Sequence, residues 1–133
     1  MRRVSYQTNF WQRFPAHRTP PAPERKTHIA LANMLRVAAK PNWFWSHIPS
    51  GEFRTERTGA LLFRMGLKPG MCDFLLISPT GQHYWMELKR GNAPLSDAQS
   101  SFTTMLHERG VPCHIARNFH DAEAKLREWG VIT

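Results

Sequence analysis

The sequence predicts a mixed α/β domain with the element order α-β-α-β-β-α-β-α, and three observations carry that prediction. Ile29, Leu31, Ala32, Leu35 and Ala38 or Ala39 recur at helical spacing. Two short apolar runs, 72–78 and 83–89, are joined by Pro79-Thr80-Gly81. Glycine or proline marks most of the other junctions. With 133 residues, 41% hydrophobic and 11% aromatic, the chain has enough apolar material for one domain with its own core. No apolar run approaches the ~20 residues of a membrane span. The N-terminus lacks the apolar stretch of a signal peptide, which predicts an intracellular, cytoplasmic protein.

Residues 1–23 read as an arm, because Pro15, Pro20, Pro21 and Pro23 favour extended backbone. Its aromatics Phe10, Trp11 and Phe14 can pack on the domain, pack on a second subunit or stack on bases. A helix follows over 24–39, with Pro23 suited to its start and Lys40-Pro41-Asn42 ending it. Residues 43–48 are aromatic and β-prone, and Pro49-Ser50-Gly51 breaks that run before a charged stretch (Glu52, Arg54, Glu56, Arg57). A short helix over 58–65 closes at Gly66, and Leu67-Lys68-Pro69-Gly70 turns into the strand 72–78. Beyond the strand 83–89, Ser96 caps a helix running to 108, with Gly110 closing it. A strand over 112–117 and a last helix over 120–129, capped by Asn118, complete the order.

The turn between the two central runs sets their register. Pro79-Thr80-Gly81 fits a three-residue hairpin loop, with proline where a type I turn wants it and glycine in the left-handed position. Ser78 then faces Gln82, and counting back places Asp73 opposite Glu87. Side chains alternate with period 2, so Asp73, Glu87 and Lys89 share one sheet face. A two-residue loop would have put Asp73 on the face opposite Glu87.

Hard divalent cations such as Mg²⁺ take carboxylate oxygens, and a nearby ammonium suits a water or a phosphate oxygen. The pattern therefore points to metal-dependent cutting of a phosphodiester, with the Leu88 carbonyl as the remaining nearby oxygen. Spacing alone is equally compatible with a salt bridge from Lys89 to Glu87 or Asp73 on a solvated sheet edge.

A net charge of +8 suits a polyanionic partner. Residues 1–26 hold Arg2, Arg3, Arg13, Arg18, Arg25 and Lys26 against Glu24, whereas the remaining residues carry only +3. Such a tail serves either as a solvated arm or as a phosphate-binding one. Deleting 1–23 is expected to weaken DNA affinity and flatten its salt dependence, because phosphate contacts release counterions. An unchanged salt slope in a binding titration would show that the arm does something else. Cys72 and Cys113 are too few for a disulfide framework and read as buried free thiols. A zinc site built on Cys113 and His114 lacks the usual ligand spacing.

Leu67-Lys68-Pro69-Gly70-Met71-Cys72-Asp73-Phe74-Leu75-Leu76-Ile77, then Met86-Glu87-Leu88-Lys89-Arg90, then Leu95-Ser96-Asp97-Ala98-Gln99 resembles the VRR-NUC family of the PD-(D/E)XK nuclease superfamily. His47-Ile48-Pro49-Ser50-Gly51-Glu52 and Arg117-Asn118-Phe119-His120-Asp121-Ala122-Glu123 fall where further segments of that family would lie. The resemblance covers about residues 24–130 and implies a restriction-endonuclease-like core, a mixed sheet flanked by helices, within a domain 24–133. It implies Asp73 and Glu87 as metal ligands, Leu88 as a main-chain ligand, and Lys89 and Gln99 as catalytic. Glu24 matches the acidic residue of the family's first helix, which can add to the metal site. Cys72 departs from the family's usual proline.

Compact members, often from phages and bacteria, are similar to Holliday-junction resolvases and tend to act as dimers. The implied activity is thus an Mg²⁺-dependent DNA endonuclease, with Mn²⁺ substituting, selective for four-way junctions or flaps and working as a homodimer. A catalytically inactive DNA-binding module on the same scaffold and a restriction-type duplex endonuclease are the alternatives. Trp85 lies on the predicted active face, where core packing competes with base stacking.

Overall fold

The computed structural model describes residues 22–49 and 56–133, with the side chains of Ala22 and Pro23 excepted. The expected arm 1–23, except for its last two residues, and the segment Ser50-Gly51-Glu52 lie outside the described residues, so the domain boundary stays an expectation.

The first helix, α1, spans Ala22–Ala38 and so starts two residues before the expected 24. Pro23 is compatible with that start, because first-turn amides have no helical acceptor to lose. Strand β1 (Phe44–His47) follows, then α2 (Glu56–Arg64), β2 (Phe74–Ile77), β3 (His83–Leu88), α3 (Asp97–Glu108), β4 (Cys113–Ala116) and α4 (Phe119–Trp129). The predicted order therefore holds, with strand ends trimmed by one or two residues.

Helix ends follow local chemistry. Gly66 takes φ 104°, and Leu67 N donates back to Leu62 O at 2.9 Å, which ends α2. Asn118 caps α4 by accepting from Asp121 N at 2.8 Å. Gly130, at φ 83°, closes the same helix.

The four strands form one sheet in the order β1-β2-β3-β4. β1 and β3 each run antiparallel to β2, and β4 runs parallel to β3. Helix α3 supplies the long crossover that a parallel pair requires. One sheet face, carrying Phe74, Leu76, Met86, Leu88 and Ala116, packs on Leu31 and Leu35 of α1 and on Ala122 and Leu126 of α4. The other face meets α3, where Trp85 stands edge-on to Phe102 at 5.1 Å between ring centroids. Packing on α3 is thus the observed role of Trp85. Period-2 alternation separates the two faces along β3: Met86 and Leu88 go to the main core, and Trp85 and Glu87 go to the α3 side, where Glu87 meets Gln99.

Candidate active site

The hairpin register decides the geometry of the site. Phe74 pairs with Met86 and Ile77 with His83, a register that carries on to set Asp73 opposite Glu87. Its source is the predicted turn: Gly81 N donates to Ser78 O and Ser78 N to Gln82 O, both at 2.9 Å, with Gly81 at φ 89°.

Asp73 is held at both ends. Its Oδ2 accepts from Leu88 N at 2.7 Å, so the side chain satisfies an amide of the neighbouring strand. Its carbonyl accepts from Ile48 N at 2.8 Å and from His47 Nδ1 at 2.9 Å. Glu87 is only 3% exposed. Its Oε1 accepts from Gln99 Nε2 at 2.9 Å, while its buried Oε2 meets no donor among the described residues and, when the carboxyl is protonated, hydrogen-bonds the Asp73 carboxylate.

Burial pushes the Glu87 carboxyl up to about 9; the Asp73 charge adds to the shift and Lys89 opposes it. Burial also raises Asp73 to about 6, against the Leu88 amide, which favours the charged form. Glu24 raises both acids further through its negative charge. Among the described residues Lys89 forms no ion pair with either carboxylate. A solvated strand-end salt bridge does not describe this place. An adjacent pair of acids, Glu87 buried and Asp73 half-buried, with a Glu87 oxygen that meets no donor among the described residues, forms a donor set that fits a hard divalent cation.

A cleft of about 200 Å³ opens at the C-terminal ends of β3 and β4, lined by Glu24, Leu88, Lys89, Arg90 and Arg117 among others but by neither Asp73 nor Glu87. Glu24, Leu88 and Lys89 thus share one opening. The Arg117 guanidinium is anchored on the Ala93 carbonyl, which ties the cleft wall to the loop before α3.

Gln99 has two attachments. As residue N3 of α3 it closes a capping box: its N–H donates to Ser96 Oγ at 3.1 Å, and its Oε1 accepts from Ser96 N at 2.9 Å. Its remaining amide hydrogens face Glu87. Gln99→Ala is expected to lower stability by about 1 kcal/mol through the lost cap, and cleavage by about 10- to 100-fold through the freed Glu87. Gln99→Glu restores a capping box but sets a third carboxylate against Glu87. Melting should therefore recover while cleavage does not; recovery of both would reduce Gln99 to a cap.

Two residues given no role from sequence also meet here. One nitrogen each from His28 and His47 and one oxygen of Asp73 lie within 4.8 Å of one another. The sequence carried one signal: His28 is four residues after Glu24 and shares its helix face. The zinc reading of Cys113 and His114 fails, because Cys113 Sγ lies 3.7 Å from Cys72 Sγ and His114 Nε2 lies 2.8 Å from Asp121 Oδ1. Both cysteines are free thiols, yet only Cys72 is buried; Cys113, in an edge strand, is half-buried.

A mixed sheet flanked by helices, with two carboxylates facing across its central hairpin, makes this an α/β domain with an acidic pair at its centre. Among solved structures the chain matches one described as a VRR_NUC domain protein. The match has a TM-score of 0.66 at 18% identity and covers 82% of this chain and 88% of that one. The fold is that of the VRR_NUC domain, in agreement with the resemblance read from the motifs. The sequence matches no protein-family model and no curated protein.

Proposed function

We propose that this protein is a divalent-metal-dependent DNA endonuclease, acting on branched DNA such as four-way junctions or flaps as a homodimer. The observation that carries this reading is the Asp73–Glu87 pair, with Glu87 buried and its Oε2 meeting no donor among the described residues. Asp73, Glu87, the Leu88 carbonyl and Glu24 would hold Mg²⁺. When bound, such an ion lowers the pKa of an attacking water and neutralises charge on the scissile phosphate.

The chain's own residues do the rest. Lys89 orients the water and offsets charge on the pentacovalent phosphorus as the leaving P–O bond lengthens. Gln99 fixes the rotamer of Glu87, and the Leu88 amide fixes that of Asp73. Arg90 and Arg117, on the same cleft, suit flanking phosphates, which Arg grips with two donors at once. The overall charge of +8 adds long-range attraction to DNA.

The test is cleavage of four-way, flap and linear duplex DNA by purified protein with Mg²⁺, Mn²⁺ or EDTA, alongside sizing of the same sample. Branched substrates should be cut with either ion and left intact with EDTA. Asp73→Ala and Lys89→Ala should each slow cutting by about 100-fold or more. Wild-type rates in both variants would refute the site. Junction binding without cleavage under any ion would make the protein a DNA-binding module. Cutting of one linear sequence only would make it a restriction-type enzyme, and a monomeric elution would remove the dimer.

A further inference from the structure

His28, His47 and Asp73 come from three separate elements: α1, the last residue of β1, and the residue before β2. Each is half-buried, and their coordinating atoms fall within 4.8 Å of one another. A zinc-class ion with bonds of about 2.1 Å would hold its ligands roughly 3.4 Å apart. The observed spread therefore exceeds that spacing by no more than about 1.4 Å.

Two features prepare the histidines for this use. His47 Nδ1 lies 2.9 Å from the Asp73 carbonyl oxygen. That oxygen can only accept, so Nδ1 carries the proton and the lone pair sits on Nε2. A carbonyl on the far nitrogen is the usual way in which a protein orients a metal-binding imidazole. The rings also stand on an apolar base: Phe74 lies 4.6 Å from His28 and 6.0 Å from His47 between centroids. The two imidazoles meet edge to face at 4.4 Å. Phe74 is 1% exposed, so the base of the group is dry.

We infer that His28, His47 and Asp73 form a second cation site, selective for a borderline ion of the zinc class and joined to the Asp73–Glu87 site through the shared Asp73 carboxylate. Two nitrogens and one oxygen suit Zn²⁺, Co²⁺ or Ni²⁺, whereas Mg²⁺ prefers oxygen alone. The neighbouring Asp73–Glu87 pair has the opposite preference. The shared carboxylate couples the two: an ion held by the histidines draws on Asp73 and alters the affinity of the carboxylate site.

Titration of the full chain with Co²⁺, followed by its visible absorption and by calorimetry, tests this in four proteins. Wild type should bind Co²⁺ with a nitrogen-ligated spectrum that excess Mg²⁺ does not abolish. His28→Gln and His47→Gln should each weaken that binding by at least ~10-fold. Glu87→Gln should keep the nitrogen-ligated spectrum while losing cleavage. Melting curves check that each variant is folded. Should His47→Gln unfold, His28→Gln decides alone, since it leaves the His47–Asp73 carbonyl hydrogen bond in place. Equal Co²⁺ affinity in wild type and His28→Gln would overturn the site, as would a Co²⁺ spectrum that Glu87→Gln removes. Either result leaves the nuclease reading standing if Mg²⁺ still supports cleavage.

Discussion

Glu87→Gln is expected to give a folded protein that does not cut DNA and that, without metal, withstands alkaline pH better than wild type. The Glu87 carboxyl is raised from an ordinary 4.5 to about 9 by burial and by the Asp73 charge. Between those two values the folded chain holds a proton that the unfolded chain has released. Stability therefore falls as pH rises through that window. Asp73 adds a slope of the same sign between 3.8 and about 6.

Glutamine keeps the shape, accepts the Gln99 amide on its oxygen, and offers its NH₂ to the neighbouring Asp73 carboxylate. It cannot ionise, so its share of the slope disappears. In EDTA, wild-type Tm should decline from pH 5 to pH 9, while Glu87→Gln declines less and ends roughly 3–8 °C higher. Added Mg²⁺ should raise wild-type Tm at high pH and leave Glu87→Gln nearly unchanged, because bound ligand stabilises only the state that holds it. Parallel pH profiles for the two proteins would show that burial does not disfavour the Glu87 charge.

Gly70→Ala is expected to damage fold and site together. Gly70 sits at φ 79°, and a Cβ there would lie 2.3 Å from the Ala98 carbonyl carbon and 2.6 Å from Gln99 N. Those are backbone atoms of the first turn of α3, which cannot yield without opening the capping box that holds Gln99. We expect a loss of about 2–4 kcal/mol, with Tm lower by roughly 10 °C. Cleavage should fall in the protein that remains folded, because Gln99 no longer fixes Glu87. Gly66→Ala is the control: φ is positive there as well, at 104°, but nothing lies within 4 Å of the added Cβ. Equal melting of the two variants would show that the Gly70 approach is not tight.

The contrast between these two glycines shows what sequence can and cannot tell. Gly66 was legible as a helix stop, because its role is local. Gly70 was legible only as part of a turn, because its constraint comes from Ala98 and Gln99, nearly thirty residues away. The same division runs through the site. Asp73, Glu87 and Lys89 were placed together by Pro79-Thr80-Gly81, since a turn with no alternative spacing fixes a hairpin register. Gln99 was readable as a first-turn residue of α3, but its bond to Glu87 depends on how α3 lies across the sheet.

His28 and His47 were beyond reach as partners. Their meeting requires α1 to pack on one sheet face and β1 to pair with β2 so that His47 faces Phe74. The contrast between a buried Cys72 and a half-buried Cys113 is likewise set by position in the sheet, since apolar strand runs read alike in the centre and at the edge.

The sequence by itself determined the order of elements, the caps, the hairpin register and the chemical identity of the central trio. All of these are set by interactions within a few residues along the chain, where turn chemistry and side-chain period leave one solution. The tertiary structure alone decided how deeply Glu87 is buried, that its Oε2 meets no donor among the described residues, and which residues of α1 and β1 surround Asp73. Those properties depend on desolvation and on contacts between segments far apart in sequence, and neither is encoded in the local pattern of any one segment.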